Sequence, residues 1–240
     1  MYCSRTFVLA GAMLLAPLSA FAIPITPDTF EDGSTQGWIA NLLNMGSHPA
    51  PPENVADGGP LGSGDNYLQV TSLGGSGSGS HMTAINFMSQ WAGDYLAEDV
   101  TAITLDAVNF GNTDLYLRLA FEDPTVGPPS NIAYSSDPVF LPAGGDWTTL
   151  VFPVSPAFLT AGLGDVETAL ANTTLLRIYH SDTDNFPNPE NPIPSIAALL
   201  GLDNIAAVSD VAAIPEPATL GLVAMGIGAA AAKRRMRRRR

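Results

Sequence analysis

The chain has 240 residues, with 10 Lys and Arg against 23 Asp and Glu, one cysteine and a sequence pI near 4.3. The charges are segregated: Arg5 lies near the start and seven cations fill the last eight positions, so the stretch from Ile23 to Ile214 holds only Arg118 and Arg177 against 22 acids. So acidic a body excludes nucleic acid and anionic membrane surfaces as partners, because both demand Lys and Arg, and the single Cys3 excludes disulfides and a thiol nucleophile from it.

In chain order, the N-terminus reads as a secretory signal over residues 1–22. Arg5 supplies the positive start, TFVLAGAMLLAPL the apolar stretch, and Ala20-Phe21-Ala22 the small-residue site for signal peptidase. The mature protein is therefore expected to begin at Ile23, and the signal itself to form a helix. Between Ile23 and Ile214 no long helical periodicity occurs. Strand-like runs appear instead, separated by Gly, Pro, Asn and Asp: NYLQVT, TAITLDAV, LYLRLAFE, WTTLVFPV, LLRIYH and LDNIAAV. In LYLRLAFE, Leu115, Leu117, Leu119 and Phe121 share one face, and Tyr116, Arg118, Ala120 and Glu122 the other. Ile103, Leu105 and Ala107 alternate in the same way. One short helix is expected at GDVETALAN, capped by Asp165. NMGSHPAPPENVADGGPLGSG, LGGSGSGSH and HSDTDNFPNPENPIPS read as loops inside one domain. The fold expected for residues 23–212 is all-β, a two-sheet antiparallel β-sandwich of the jelly-roll kind.

The chain closes with IPEPATLGLVAMGIGAAAAKRRMRRRR, residues 214–240. The uncharged stretch 218–232 would span about 22 Å as a helix, short of the ~30 Å hydrocarbon core, and the cations behind it would stay cytoplasmic. Composition alone gives a marginal C-terminal transmembrane helix. The order Pro-Glu-Pro, apolar span and Arg run also resembles the PEP-CTERM sorting signal of exported bacterial proteins. That resemblance implies recognition by an exosortase, with Pro215, Glu216, Pro217, Arg234 and Arg235 as signal residues. It further implies an inner-membrane-tethered intermediate, then release to the surface or the exopolysaccharide matrix of a Gram-negative cell, with membrane contact only through the uncleaved tail.

Catalytic patterns are absent: the sequence holds no G-x-S-x-G, G-x-G-x-x-G or H-E-x-x-H, and its three histidines are far apart. Asp182-Thr183-Asp184-Asn185 begins like a calcium loop, but Phe186 follows where a ligand is needed. FEDGSTQGW, GDNYLQV and LDNI fall in an order that resembles the galactose-binding-like jelly rolls, which include many carbohydrate-binding modules. In that family a structural Ca²⁺ often ties the first strand to the last, and the matching positions here are Glu31 and Asp203. The alternative is that both are ordinary turn acids. Arg118 and Tyr116 share a face of one strand, and Arg177 and Tyr179 a face of another; on an open sheet these four would form an aromatic-basic patch for an anionic polysaccharide. Alternatively, the arginines simply pair with neighbouring acids. A non-catalytic polysaccharide-binding protein is the expected function, with a small extracellular polysaccharide hydrolase on the same fold as the alternative.

Overall fold

A computed structural model describes residues 26–40, 48–124, 128–182 and 193–209. The expected signal helix and the tail, including Pro215, Glu216, Pro217, Arg234 and Arg235, lie outside the described residues, as does most of the DTDN stretch. Among the described residues no helix is long and apolar enough to cross a membrane.

Among the described residues eleven strands follow one another: β1 (Glu53–Val55), β2 (Tyr67–Leu73), β3 (Thr83–Asn86), β4 (Val100–Asn109), β5 (Leu115–Asp123), β6 (Asn131–Ser135), β7 (Val139–Leu141), β8 (Thr148–Pro153), β9 (Leu159–Leu163), β10 (Leu175–His180) and β11 (Ala197–Ser209). They form two antiparallel sheets, one ordered β1-β2-β11-β4-β8 and the other β3-β10-β5-β6-β9 with β7 paired to β5. This is the two-sheet jelly-roll sandwich that the alternation implied. All six strand-like runs are strands, although β11 begins earlier than LDNIAAV. β1 interrupts the first expected loop, and β3, β6, β7 and β9 are too short or too irregular to show a period. The expected helix is α1 (Val166–Ala171), and its N-cap Asp165 accepts a bond from the Thr168 amide at 2.8 Å.

The core lies between the sheets. Leu68, Val70, Ile103, Leu105, Ala107, Leu150, Phe152, Leu200 and Leu202 point in from one sheet, and Leu115, Leu117, Leu119, Phe121, Leu176 and Ile178 from the other. Leu-for-Leu alternation along β5 and β10 puts one face inward by the two-residue period alone. β11 carries a register shift between Asp203 and Ala206, with Asn204 at φ 49°. Asn tolerates this left-handed conformation. The extra residue lets Asp203 face outward while Ile205 re-enters the core.

The start of the described chain is fastened to the sandwich by one buried carboxylate. Asp28 pairs its backbone with Ile205 on β11 through bonds of 2.9 and 3.1 Å. Its Oδ2 accepts from the indole N–H groups of Trp38 and Trp91, both at 2.8 Å, and its Oδ1 from Gln90 Nε2 at 2.9 Å. Burial pushes the Asp28 carboxyl above the usual carboxylate range, and the three donors pull it back. Trp38 and Trp91 are themselves buried, with ring centroids 5.9 Å apart. Removing the acceptor would leave two buried indole donors without it. Asp28→Ala is therefore expected to cost on the order of 3 kcal/mol in a denaturant titration, more than an ordinary surface carboxylate.

Candidate functional sites on the two outer sheet faces

β10 and β5 are direct neighbours, with Tyr179 opposite Arg118 and Arg177 opposite Ala120. Tyr116, Arg118, Arg177 and Tyr179 thus share the outer face of one sheet, as the alternation required. They do not form an open patch. Arg118 is 1% exposed and Tyr179 fully buried. Arg118 Nη1 donates to the carbonyls of Ser135 and Ser136 at 2.7 and 2.6 Å, and its Nε to the Ser181 carbonyl at 3.3 Å. Arg177 is half-buried and ion-paired, its Nε donating to Glu122 Oε1 at 2.7 Å. The expected aromatic-basic surface is therefore corrected: one arginine is a buried anchor and the other is half of a salt bridge.

The physical reason is a second layer of apolar side chains. Ala120, Ile132, Tyr134 and Tyr179 form a cluster on this outer face, with Ile193 packed against it. Burial raises the Tyr179 phenol above its ordinary value. What stays accessible is Tyr116 with Phe140, opposite each other on β5 and β7 with ring centroids 5.3 Å apart, Phe140 being half exposed. Phe140 leaves no sign in the sequence, because β7 is three residues long and has no period to read. Beside Tyr116, the buried His180 accepts its amide at Nδ1 (2.9 Å), and burial holds the imidazole below its usual range.

The other sheet presents a different outer face. Asp203 and Asp106 are cross-strand partners on it. Asp106 accepts from Thr149 Oγ1 at 2.6 Å and from Asn204 Nδ2 at 3.0 Å. Asp203 Oδ1 accepts the Asn204 amide at 2.7 Å. Burial pushes the Asp203 carboxyl up to about 7, and the charges of Asp65, Asp106 and Glu31 add to the shift. Glu31 and Asp203 are thus brought into electrostatic reach of each other. Glu31 is tied to the start of β2 by the Asn66 amide at 2.9 Å. The preceding Phe30 is buried at φ 60°, and its carbonyl accepts from the side-chain amides of Asn54 (2.6 Å) and Asn66 (3.3 Å). A non-glycine residue in that conformation is strained, and the buried ring and the two amides hold it there. Among the described residues no three His, Cys, Asp or Glu side chains converge closely enough to hold a metal ion by themselves.

Two features meet on one chain: an acidic sandwich and a tail that is apolar and then cationic in sequence. Residues 213–240 match the family model of the PEP-CTERM protein-sorting motif. The chain carries a PEP-CTERM sorting signal. That motif implies export, a membrane-anchored intermediate and processing by exosortase. It covers the tail alone. No curated protein sequence matches this one. Among solved structures, the sandwich of this chain is similar to part of an exo-β-agarase, at 11% identity and a TM-score of 0.51, over 78% of this chain and 25% of that one. The present chain therefore spans about a quarter of the agarase structure's length. It is also similar to the family 11 carbohydrate-binding module of Clostridium thermocellum, at 13% identity and a TM-score of 0.46, over 76% of this chain and 93% of that one. The CBM22-1 xylan-binding domain of Paenibacillus barcinonensis Xyn10C matches at 14% identity and 0.44, over 78% and 96%. At such identities the likeness is one of fold.

The two arginines should respond differently to truncation. Arg118→Ala leaves three carbonyls without their charged donor and a void behind it, so a loss of about 3 kcal/mol is expected in chemical denaturation. Arg177→Ala breaks a partly solvated pair and should cost only about 1–2 kcal/mol. Equal small losses would mean that Arg118 is not the buried anchor described.

Proposed function

We propose that this protein is exported, sorted by exosortase through residues 213–240, and acts outside the cell as a non-catalytic polysaccharide-binding protein associated with the exopolysaccharide matrix. The observation that carries the export half is the sorting motif. The binding half is supported by the β-sandwich, by its likeness in fold to part of an agarase, and by the half-exposed ring of Phe110 at the outer face of the five-stranded sheet. Signal peptidase would release the body at Ile23.

The hydrolase alternative has one observation in its favour. Asp203, pushed up to about 7, sits opposite Asp106, and a proton-holding carboxyl beside a second one is the pattern of an acid–base pair. Asp203 is only 1% exposed, however, and its oxygens are occupied by Asn204. A sugar has no approach to it, so the binding reading is preferred.

The same carboxylates support a structural calcium ion between Glu31 and Asp203. Hard cations take oxygen ligands, and the charges of Glu31, Asp65 and Asp106 all reach Asp203. With Glu31 and Asp203 as the carboxylate ligands, the remaining ligands would be backbone carbonyls such as Phe30 O and side-chain amides. An ion there would offset the repulsion and tie the start of the body to β11.

Two experiments address the function directly. Intact-mass analysis of surface protein is expected to show a chain that starts at Ile23 and has lost Arg240; retention of Arg240 would reduce the tail to a plain anchor. A glycan array probed with residues 23–214, with and without calcium, is expected to give specific polysaccharide signals and no turnover.

The calcium proposal carries a pH signature. A carboxyl whose folded pKa is raised binds more protons folded than unfolded, so stability falls as pH rises from about 4 through about 7. Without calcium the melting temperature should therefore fall over that range, and less so in Asp203→Asn. With millimolar calcium the loss should be offset above pH 7, because the ion binds the deprotonated form. Identical melting curves in chelator and in calcium would remove the ion from this account.

A further inference from the structure

Every cation between Ile23 and Ile214 has a place. The sequence supplies two, Arg118 and Arg177. Arg118 is buried on backbone carbonyls, and Arg177 is neutralised by Glu122. A polyuronate or sulfated chain approaching this body would meet 22 acids and no arginine or lysine at liberty to pair with it. Such an approach is repulsive. An uncharged chain suffers no such penalty.

The outer face of the five-stranded sheet carries an aromatic cluster that suits an uncharged ring. Inward-pointing Leu68, Leu200 and Leu202 fix Tyr67, Gly201 and Val108 on the outside. Phe110 and Trp147 settle directly over Gly201: a Cβ there would meet Val108 Cγ1 at 2.8 Å, Trp147 Cη2 at 2.9 Å and Phe110 Cε2 at 3.0 Å. Tyr67 packs against both rings, with centroids 5.8 Å from Phe110 and 5.4 Å from Trp147. The indole is fixed by its bond to the Gly58 carbonyl at 3.0 Å. The cluster is thus pre-organised, which lowers the ordering cost of binding. Phe110 remains 44% exposed. Its plane stands at 88° to that of Trp147. A right-angled corner receives one sugar unit of a single chain, whereas a crystalline surface calls for coplanar rings in a row. Gln69 lies opposite Gly201 on the same face, within reach of sugar hydroxyls.

We infer that this corner, formed by Tyr67, Phe110 and Trp147 over Gly201, is a binding site for single chains of uncharged polysaccharide. The inference rests on the polysaccharide-binding reading above and names both its ligand class and its face. The test is affinity electrophoresis of residues 23–214, whose described part closes its own core, in gels containing soluble neutral β-glucan, galactan or xylan, alginate, or chitosan. At least one neutral polymer should retard the protein, to the same extent at low and at high salt. Phe110→Ser and Trp147→Ala should each weaken that binding about tenfold. Phe110 is exposed and its substitution should leave the melting temperature near that of the parent. Phe140→Ser, on the opposite sheet, should leave binding unchanged. Retardation by alginate or chitosan alone, abolished by salt, would overturn the inference while sparing polysaccharide binding. Loss of neutral binding in Phe140→Ser and not in Phe110→Ser would overturn it likewise. Binding to no polymer at all would remove both readings.

Discussion

The buried carboxylate of Asp28 is the interaction on which one end of this sandwich depends. A jelly roll has to bring the start of its chain back to its last strand, and here that meeting is the Asp28–Ile205 backbone pair. A two-bond bridge is weak alone. It is reinforced because the same residue's side chain accepts from Trp38 and Trp91, which fill the adjoining core, and from Gln90. Three donors from two separate stretches of chain, Trp38 and the adjacent Gln90 and Trp91, converge on one acceptor that could not remain buried without them. The turn that follows, with Phe30 in a left-handed conformation and Glu31 reaching Asn66, is held in place from both sides as a result.

Charge imposes the second constraint. A body with two cations and 22 acids has little opposite charge to pair, and many of its carboxylates are held by neutral donors: backbone amides, asparagines, threonines and indoles. Asp57 and Asp65 fold the glycine-rich loop before β2 in this way, accepting the amides of Gly64 and Leu61, both at 2.6 Å. The arginines go where a charged donor does most. Arg118 satisfies carbonyls beneath a covered face, and Arg177 compensates a nearly buried Glu122. Neither is left over to form an anion-binding surface.

The two outer faces differ because of what lies upon them. On one, Tyr134 and Tyr179 close over Ala120 and Ile132 and withdraw Arg118 from water. On the other, a glycine leaves room for rings from two different connections to lie on the sheet. Both arrangements join residues far apart in sequence, and both use side chains on the face that simple alternation assigns to solvent.

Much was nevertheless legible without coordinates. The address at the C-terminal end of the chain is a matter of order: Pro-Glu-Pro, an apolar run and arginines. β4, β5 and β10 were readable because a two-residue period is local, and so were the Asp165 cap and the outward direction of Arg118 and Arg177, whereas the pairing of their two strands was not. Exposure is not local. Whether Arg118 meets water depends on what packs over it, and the Asp203 carboxyl is raised first by burial and then by the charges of Asp65, Asp106 and Glu31 arriving from three other segments. The Asp28 clamp and the Gly201 corner left no periodic trace either, since each is assembled from single residues of separate loops and strands. The sequence by itself therefore determined the sorting signal, the strand pattern and the excess of negative charge. Only the tertiary structure decided which charges and rings remain accessible, because burial is set by what packs on top of a residue and not by the residues beside it in the chain.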